Sequence, residues 1–314
     1  MAKLQLRSGR INDSYKLASP SYGLNRALGG GFMSGRIHVL WGAKASGKST
    51  MALHMVAEAQ KMGKRCLWVD SEKTYNPIWA ESCGVDIDDL LVAQEGANVA
   101  EDLLTLVLPE IEKKTVDVLV IDSLSSVLMK AFFEKPEANP MAIFSRSAKY
   151  VIIKLLNAIG PETQIILVSH ASNHITSNGA YLTANIGSAT EHWASTIIKL
   201  RQGNDKKNDF KLDGSRKIYW TVEKSKQSLY PVSGEYWFNA KDTSIDQLSE
   251  VVDAAIDLDI IDQAGAWFKY GAEKWQGKNG VLNALASDLD LRDEIANKIL
   301  SIALVADDEE LEDE

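Results

Sequence analysis

Residues Gly42, Ala43, Lys44, Ala45, Ser46, Gly47, Lys48, Ser49 and Thr50 fit the pattern G-x-x-x-x-G-K-[ST], whose chemistry is the cradling of phosphates. An apolar run of β type, residues 36–41, comes before the pattern, and helical periodicity over residues 51–62, closed by Gly63, follows it. The order is strand, loop, helix. Two glycines permit a tight wrap, so that backbone N–H groups and a helix N-terminus point at phosphate oxygens. In this pattern the Lys48 ammonium reaches the β- and γ-phosphates and the Ser49 hydroxyl ligates a magnesium ion. ATP and Mg2+ are therefore the expected cofactors. A chance glycine-rich turn is the alternative, and the flanks argue against it.

Breaking a nucleotide phosphoanhydride also needs a metal anchor, a group that orients water and a detector of the terminal phosphate. Residues 116–123 form an apolar strand that ends in a carboxylate, so Asp122 is the candidate to hold Mg2+; a loop-capping aspartate is the alternative. Residues 70–72, Asp-Ser-Glu, end the strand after the phosphate-loop helix, and in a parallel sheet such strand ends face the ligand crevice. Glu72 is thereby a candidate to orient and activate water, against the alternative of a solvated surface glutamate. His170 ends the apolar run 164–170 on the same rim and is either a hydrogen-bonded structural histidine or the phosphate sensor.

The elements that must position these groups alternate: β-type runs at residues 65–70, 116–122 and 164–170 are separated by amphipathic stretches. This predicts an α/β fold with a mostly parallel sheet covered on both faces. Runs at 196–201, 218–224 and 235–239, with a turn-like spacer at 203–217, predict an antiparallel edge. From residue 244 onward the periodicity is helical around a glycine- and aromatic-rich insert at 265–271, which predicts a small α+β C-terminal domain. The expected division is an arm over residues 1–20, a core over 21–242, the small domain over 243–305 and a disordered acidic tail over 306–314.

Composition excludes other classes. Hydrophobic residues make up 45% of the 314 positions, yet no apolar run reaches a membrane-spanning length and the first twenty residues lack a signal-peptide core. No membrane partner is expected. Cys66 and Cys83 are the only cysteines, which suits a reducing, cytoplasmic compartment and encodes no zinc site. Seven of the carboxylates behind the net charge of −9 lie in residues 307–314, leaving about −2 for everything before them. Such a tail reads as a solubilising end or as an internal competitor for a basic nucleic-acid site.

Beyond the phosphate loop, the chain resembles the RecA family of DNA recombinases over nearly its whole length. The residues that carry the resemblance are Gly29-Gly30-Gly31 through the loop, Asp70-Ser71-Glu72, Asn76-Pro77-Ile78-Trp79-Ala80, residues 84–91, the strand ending at Asp122, and Ala264-Gly265-Ala266-Trp267-Phe268. Two details are similar to the bacteriophage UvsX-like branch: His170 stands where bacterial members have a glutamine, and Val222-Glu223-Lys224-Ser225-Lys226 is of phage type.

The resemblance implies a RecA-like P-loop ATPase core and a DNA-dependent ATPase that forms a helical filament of identical subunits on single-stranded DNA. That filament would pair with double-stranded DNA and exchange strands, in a bacterial or phage-infected cell, with single-strand-binding and mediator proteins as further partners. It implies that Glu72 is the catalytic glutamate, that Asn76 and Trp79 lie at the nucleotide, Trp79 where an adenine-stacking tyrosine stands, and that His170 links nucleotide state to a DNA loop. Lys224 and Lys226 match paired lysines that reach the ATP of the neighbouring subunit, and an i, i+2 pair on a strand projects to one face. Two loops would meet DNA, residues 132–141 and 171–190; in the second, Ser172, Asn173, Thr176, Asn178, Gly179, Tyr181 and Thr183 supply hydroxyls, amides and backbone N–H groups. Without the resemblance, the lysines read as solvated charge and the loops as plain surface loops. The chain departs from bacterial members in its short arm, in Lys44 and in Leu248. The rivals are a ring-forming helicase or motor on the same core and, more remotely, a small-molecule kinase.

Overall fold

Strands that read as unbroken apolar runs lie at the centre of the sheet, because both of their faces are covered. The computed structural model describes residues 15–134, 140–176, 179–184, 187–226 and 232–309. Its first elements are β1 (Lys16–Leu17), α1 (Tyr22–Ala27), β2 (Phe32–Met33), β3 (Ile37–Gly42), α2 (Lys48–Lys61), β4 (Cys66–Asp70), α3 (Pro77–Ser82), β5 (Leu91–Ala93), α4 (Ala100–Glu112) and β6 (Val118–Asp122). After a 3-10 turn at Leu124–Ser126 come α5 (Lys130–Glu134), α6 (Pro140–Ala158), β7 (Gln164–Thr176), β8 (Gly179–Ala184), α7 (Gly187–Trp193), β9 (Thr196–Gln202), β10 (Ser215–Ser225) and β11 (Val232–Asn239). The C-terminal unit holds α8 (Gln247–Asp257), β12 (Asp262–Ala264), β13 (Trp267–Tyr270), β14 (Glu273–Gln276), α9 (Gly277–Ser287) and α10 (Leu289–Glu309).

Among the described residues the main sheet runs β11-β10-β9-β3-β7-β6-β4-β5, with β8 paired to β7. The strands from β9 to β5 are parallel, and β10 and β11 add the antiparallel edge. Successive side chains alternate between two cores. Leu40, Val120 and Ile166 join the core under α2, whereas Val39, Leu119 and Ile165 join the core under α4 and α6. Helix α2 buries Met51, Ala52, Leu53, Met55, Val56, Ala57 and Ala59 and ends where Gly63 takes a φ of 70°. Helix α4 turns Leu103, Leu104, Val107 and Ile111 inward, at helical spacing.

The C-terminal unit has a core of its own, including Val252, Ala255, Phe268, Val281, Leu285 and Ile295, with Leu248 packed against it. Its polar anchor is Glu250 on α8, whose Oε2 accepts from the Ser21 hydroxyl at 2.7 Å and the Gly23 N–H at 2.9 Å, at the start of α1. Burial pushes the Glu250 carboxyl up to about 7, against the lowering effect of those donors.

The structure corrects several expectations. The run 164–170 is only the first half of β7, which continues to Thr176 and returns as β8, so most of the expected DNA loop at 171–190 is a β-hairpin followed by α7. Strong β-formers and hydroxyl residues beyond His170 pair across the hairpin from Ala171↔Ala184 to Thr176↔Gly179. The other expected DNA loop, 132–141, is bracketed by α5 and α6, and residues 135–139 lie outside the described residues. The spacer at 203–217 is shorter than expected, since β10 begins at Ser215. Helix α10 runs through Glu309, so residues 306–309 continue a helix; residues 310–314, like 1–14, lie outside the described residues.

A candidate nucleotide site at the strand ends

Sheet register assembles the site. Gly42 pairs with His170, and Asp70, Asp122 and Val168 lie on one rung, so the C-terminal ends of β3, β4, β6 and β7 share one rim. The rung continues past the strands: Ser71 N–H donates to the Asp122 carbonyl at 2.9 Å, and the Ser71 hydroxyl donates to the Ser123 carbonyl at 2.8 Å. The Asp70 carboxylate takes the Thr74 and Tyr75 N–H groups and the Gln94 amide, at 3.1, 2.8 and 2.8 Å, and so shapes the turn that presents Glu72.

The phosphate loop meets the requirements its glycines suggested. Gly47 sits at a φ of 91° and opens α2 without any side-chain cap, which leaves the helix N-terminus turned to the crevice. At Gly42 a Cβ would come within 2.1 Å of the Leu200 carbonyl oxygen and 2.6 Å of the Ser46 hydroxyl. Lys48 is buried, its ammonium donating to the loop's own Gly42 and Ala43 carbonyls at 3.1 and 2.8 Å. Burial lowers the Lys48 pKa, while Asp122 and Glu72 nearby favour its charge. Among the described residues the Ser46 hydroxyl is buried without a partner. Asp122 accepts from the Ser49 hydroxyl, and desolvation raises its carboxyl to about 6. A buried ammonium, an orphaned hydroxyl and an uncapped helix start are what a triphosphate would satisfy, so the residues fit ATP. They also fit Mg2+, which keeps waters and phosphate oxygens and asks the protein for only a hydroxyl and a carboxylate such as Ser49 and Asp122.

Glu72 and His170 meet at 2.8 Å through Glu72 Oε1 and His170 Nε2, although 98 residues separate them. The same Oε1 accepts from the Ser123 hydroxyl at 2.5 Å and the Ser126 hydroxyl at 2.7 Å. These hydrogen bonds, that from His170 foremost, hold the Glu72 carboxyl down at about 2 despite partial burial. Ser123, Ser125 and Ser126 were not singled out in the sequence; the signal available there was the serine run directly after the carboxylate that ends β6.

Other expected residues are placed less directly. Asn76 caps α3, its side chain accepting from Trp79 N–H at 3.2 Å. The Trp79 indole N–H donates to the Thr50 hydroxyl at 3.3 Å, and its ring meets Phe238 edge-on at 6.2 Å. Ala43, Lys44 and Ala45 are on the exposed turn of the loop, with Ala45 at a φ of 61°. Lys224 and Lys226 lie at the end of β10, past a register shift between Val222 and Lys224; Lys224 pairs with Ile197, Ser225 with Thr196, and the Lys226 N–H donates to the Ser195 carbonyl at 2.9 Å, so the i, i+2 relation of the two lysines is unbroken. Lys224 donates to the Glu191 and His192 carbonyls at the end of α7, and burial lowers its pKa. Ser172, Asn173 and Thr176 lie on β7 and Gly179, Tyr181 and Thr183 on β8, whereas Asn178 is outside the described residues.

Comparison with known proteins gives two family matches. The RecA N-terminal domain matches residues 2–231 and the RecA C-terminal domain residues 249–303. The Protein RecA of Rhodospirillum rubrum is 31% identical over 307 residues, covering 96% of this chain and 82% of its own. That of Chloroflexus aurantiacus is 32% identical over 289 residues, 90% and 81% of the two chains. That of Porphyromonas gingivalis is 30% identical over 304 residues, 95% and 88%.

Proposed function

This chain belongs to the RecA family, and from that premise we propose that it is an ATP-dependent DNA recombinase. It assembles as a helical filament on single-stranded DNA and promotes homologous pairing and strand exchange with duplex DNA. The observation that carries the reading is the position of His170. It is the last residue of β7 paired with the phosphate-loop strand, its ring touches Glu72, and the next residue begins the β7–β8 hairpin. One residue thus joins the nucleotide site to the segment assigned to DNA. The ring-forming helicase is not favoured, since both RecA domain models match.

In this reading the loop N–H groups, Ser46, Lys48 and Thr50 hold the phosphates, and Ser49 and Asp122 hold Mg2+. Bound ATP supplies the phosphoanhydride that is cleaved, and Mg2+ neutralises its developing charge. Glu72 orients the attacking water and receives its proton. Glu72 is engaged through Oε1 by His170, Ser123 and Ser126, and these contacts fix the direction of the carboxylate. Trp79 and Asn76 flank the nucleotide, and Lys224 and Lys226 act on the ATP of an adjacent subunit. Ser172, Asn173, Thr176, Asn178, Gly179, Tyr181 and Thr183 contact DNA with residues 132–141.

The UvsX-like branch, supported by His170 and residues 222–226, is part of the same proposal, as is a cytoplasmic site of action. Both free cysteines are buried, and among the described residues no helix is long and apolar enough to cross a membrane. The deciding experiment measures ATP hydrolysis with and without single-stranded DNA, alongside negative-stain microscopy. DNA-stimulated turnover with helical filaments is expected; rings, or no assembly on DNA, would refute the reading.

A further inference from the structure

The hydroxyls after β6 form a directed hydrogen-bond chain. A serine has one O–H to give. Ser126 spends its proton on Glu72 Oε1 at 2.7 Å and Ser123 spends its own there at 2.5 Å. The 2.7 Å contact between Ser123 Oγ and Ser125 Oγ must then be donated by Ser125. Ser125 in turn accepts the His170 backbone N–H at 3.2 Å. The order is His170 N–H to Ser125, Ser125 to Ser123, and Ser123 to Glu72, closed by the His170 ring on the same oxygen. Ser123 opens the 3-10 turn without capping it, so its hydroxyl serves the carboxylate and not the turn.

We infer that Ser125 and Ser126 are positioning residues for ATP hydrolysis: Ser126 anchors Glu72 from the β6 side, and Ser125 transmits the backbone position of His170 to it. Among the described residues the donors to Glu72 land on Oε1, which leaves Oε2 as the oxygen that addresses water. The two serines have separable duties. Ser126 bonds Glu72 directly, whereas Ser125 touches it only through Ser123 and depends on where β7 stands. This inference rests on the reading of Glu72 as the group that orients water.

The test is steady-state ATP hydrolysis by the full chain with and without poly(dT). Loss of one hydrogen bond in a chain that ends on a charged group is expected to lower the DNA-stimulated to DNA-independent ratio of Ser125→Ala by about tenfold, with KM for ATP within about twofold. Ser126→Ala should lower kcat about tenfold in both conditions and leave the ratio in place. Ser125→Thr and Ser126→Thr keep the hydroxyl and should restore wild-type behaviour. If an alanine variant fails to fold, its threonine counterpart decides: near-normal coupling supports the inference, and a defect overturns it. A wild-type ratio in Ser125→Ala overturns the relay while leaving the proposed function intact. Absence of DNA stimulation in the unmodified chain overturns the functional reading itself and the inference with it.

Discussion

The Glu72 carboxyl is ionised far below neutrality, because three donors converge on one of its oxygens. Glu72→Gln keeps an acceptor in the same place for Ser123 and Ser126 but cannot take a proton. Turnover is expected to fall by about a hundredfold or more, with ATP and DNA still bound, as read by single-turnover hydrolysis and filter binding. Loss of ATP affinity instead would make the residue structural. The folded value of about 2 against an ordinary 4.5 also links this group to stability. A depressed carboxylate stabilises the fold above the unfolded value, and that contribution is lost as pH falls from 4.5 through about 2. Acid unfolding of Glu72→Gln should therefore lose steepness in that window.

Between β3 and β9 the backbone itself leaves no room for a side chain at the first residue of the phosphate loop. Gly42 pairs with Leu200, and a Cβ there would stand 2.1 Å from the Leu200 carbonyl oxygen. Gly42→Ala must open that pairing and also displace the Ser46 hydroxyl, an overpacking cost of about 1–3 kcal/mol or more. A lower thermal midpoint together with weaker ATP binding is expected; unchanged affinity would mean that the loop re-forms independently of the sheet. In the hairpin β7–β8, strand pairing and not an open loop holds the backbone of Ser172, Asn173 and Thr183.

At the scale of the whole molecule, two acidic features carry testable consequences. Glu250 fastens α8 to the start of α1, and its carboxyl is raised to about 7 from 4.5. The native state then binds the proton more tightly than the unfolded chain, so stability is fullest below 4.5 and is lost as pH rises through about 7. Glu250→Gln should flatten the melting temperature between those pH values, and a slope equal to that of the unmodified chain would contradict the assignment. The second feature is the acidic end, seven carboxylates in residues 307–314. Deleting it is expected to tighten duplex binding, with the difference shrinking as salt rises, because a Debye length of roughly 8 Å screens such competition at physiological ionic strength. Identical isotherms at two salt concentrations would reduce the tail to a solubilising segment.

By itself the sequence determined whatever local pattern encodes. The strand, loop and helix around Lys48 follow from adjacent residues: an apolar run of β type, two glycines and helical periodicity closed by Gly63. The parallel centre follows from apolar runs that only a doubly covered sheet can bury, and Asp122, Glu72 and His170 were legible because strand ends of such a sheet share a rim. Tertiary structure alone decided which atoms meet. That Glu72 takes its donors from residues 51, 54 and 98 positions away depends on the strand order β3-β7-β6-β4, which no local window contains. The same holds for β7 running on past His170 and for the bulge between Val222 and Lys224 on β10. A residue's own type permits those outcomes, but only a partner strand, fixed by register across the sheet, selects among them.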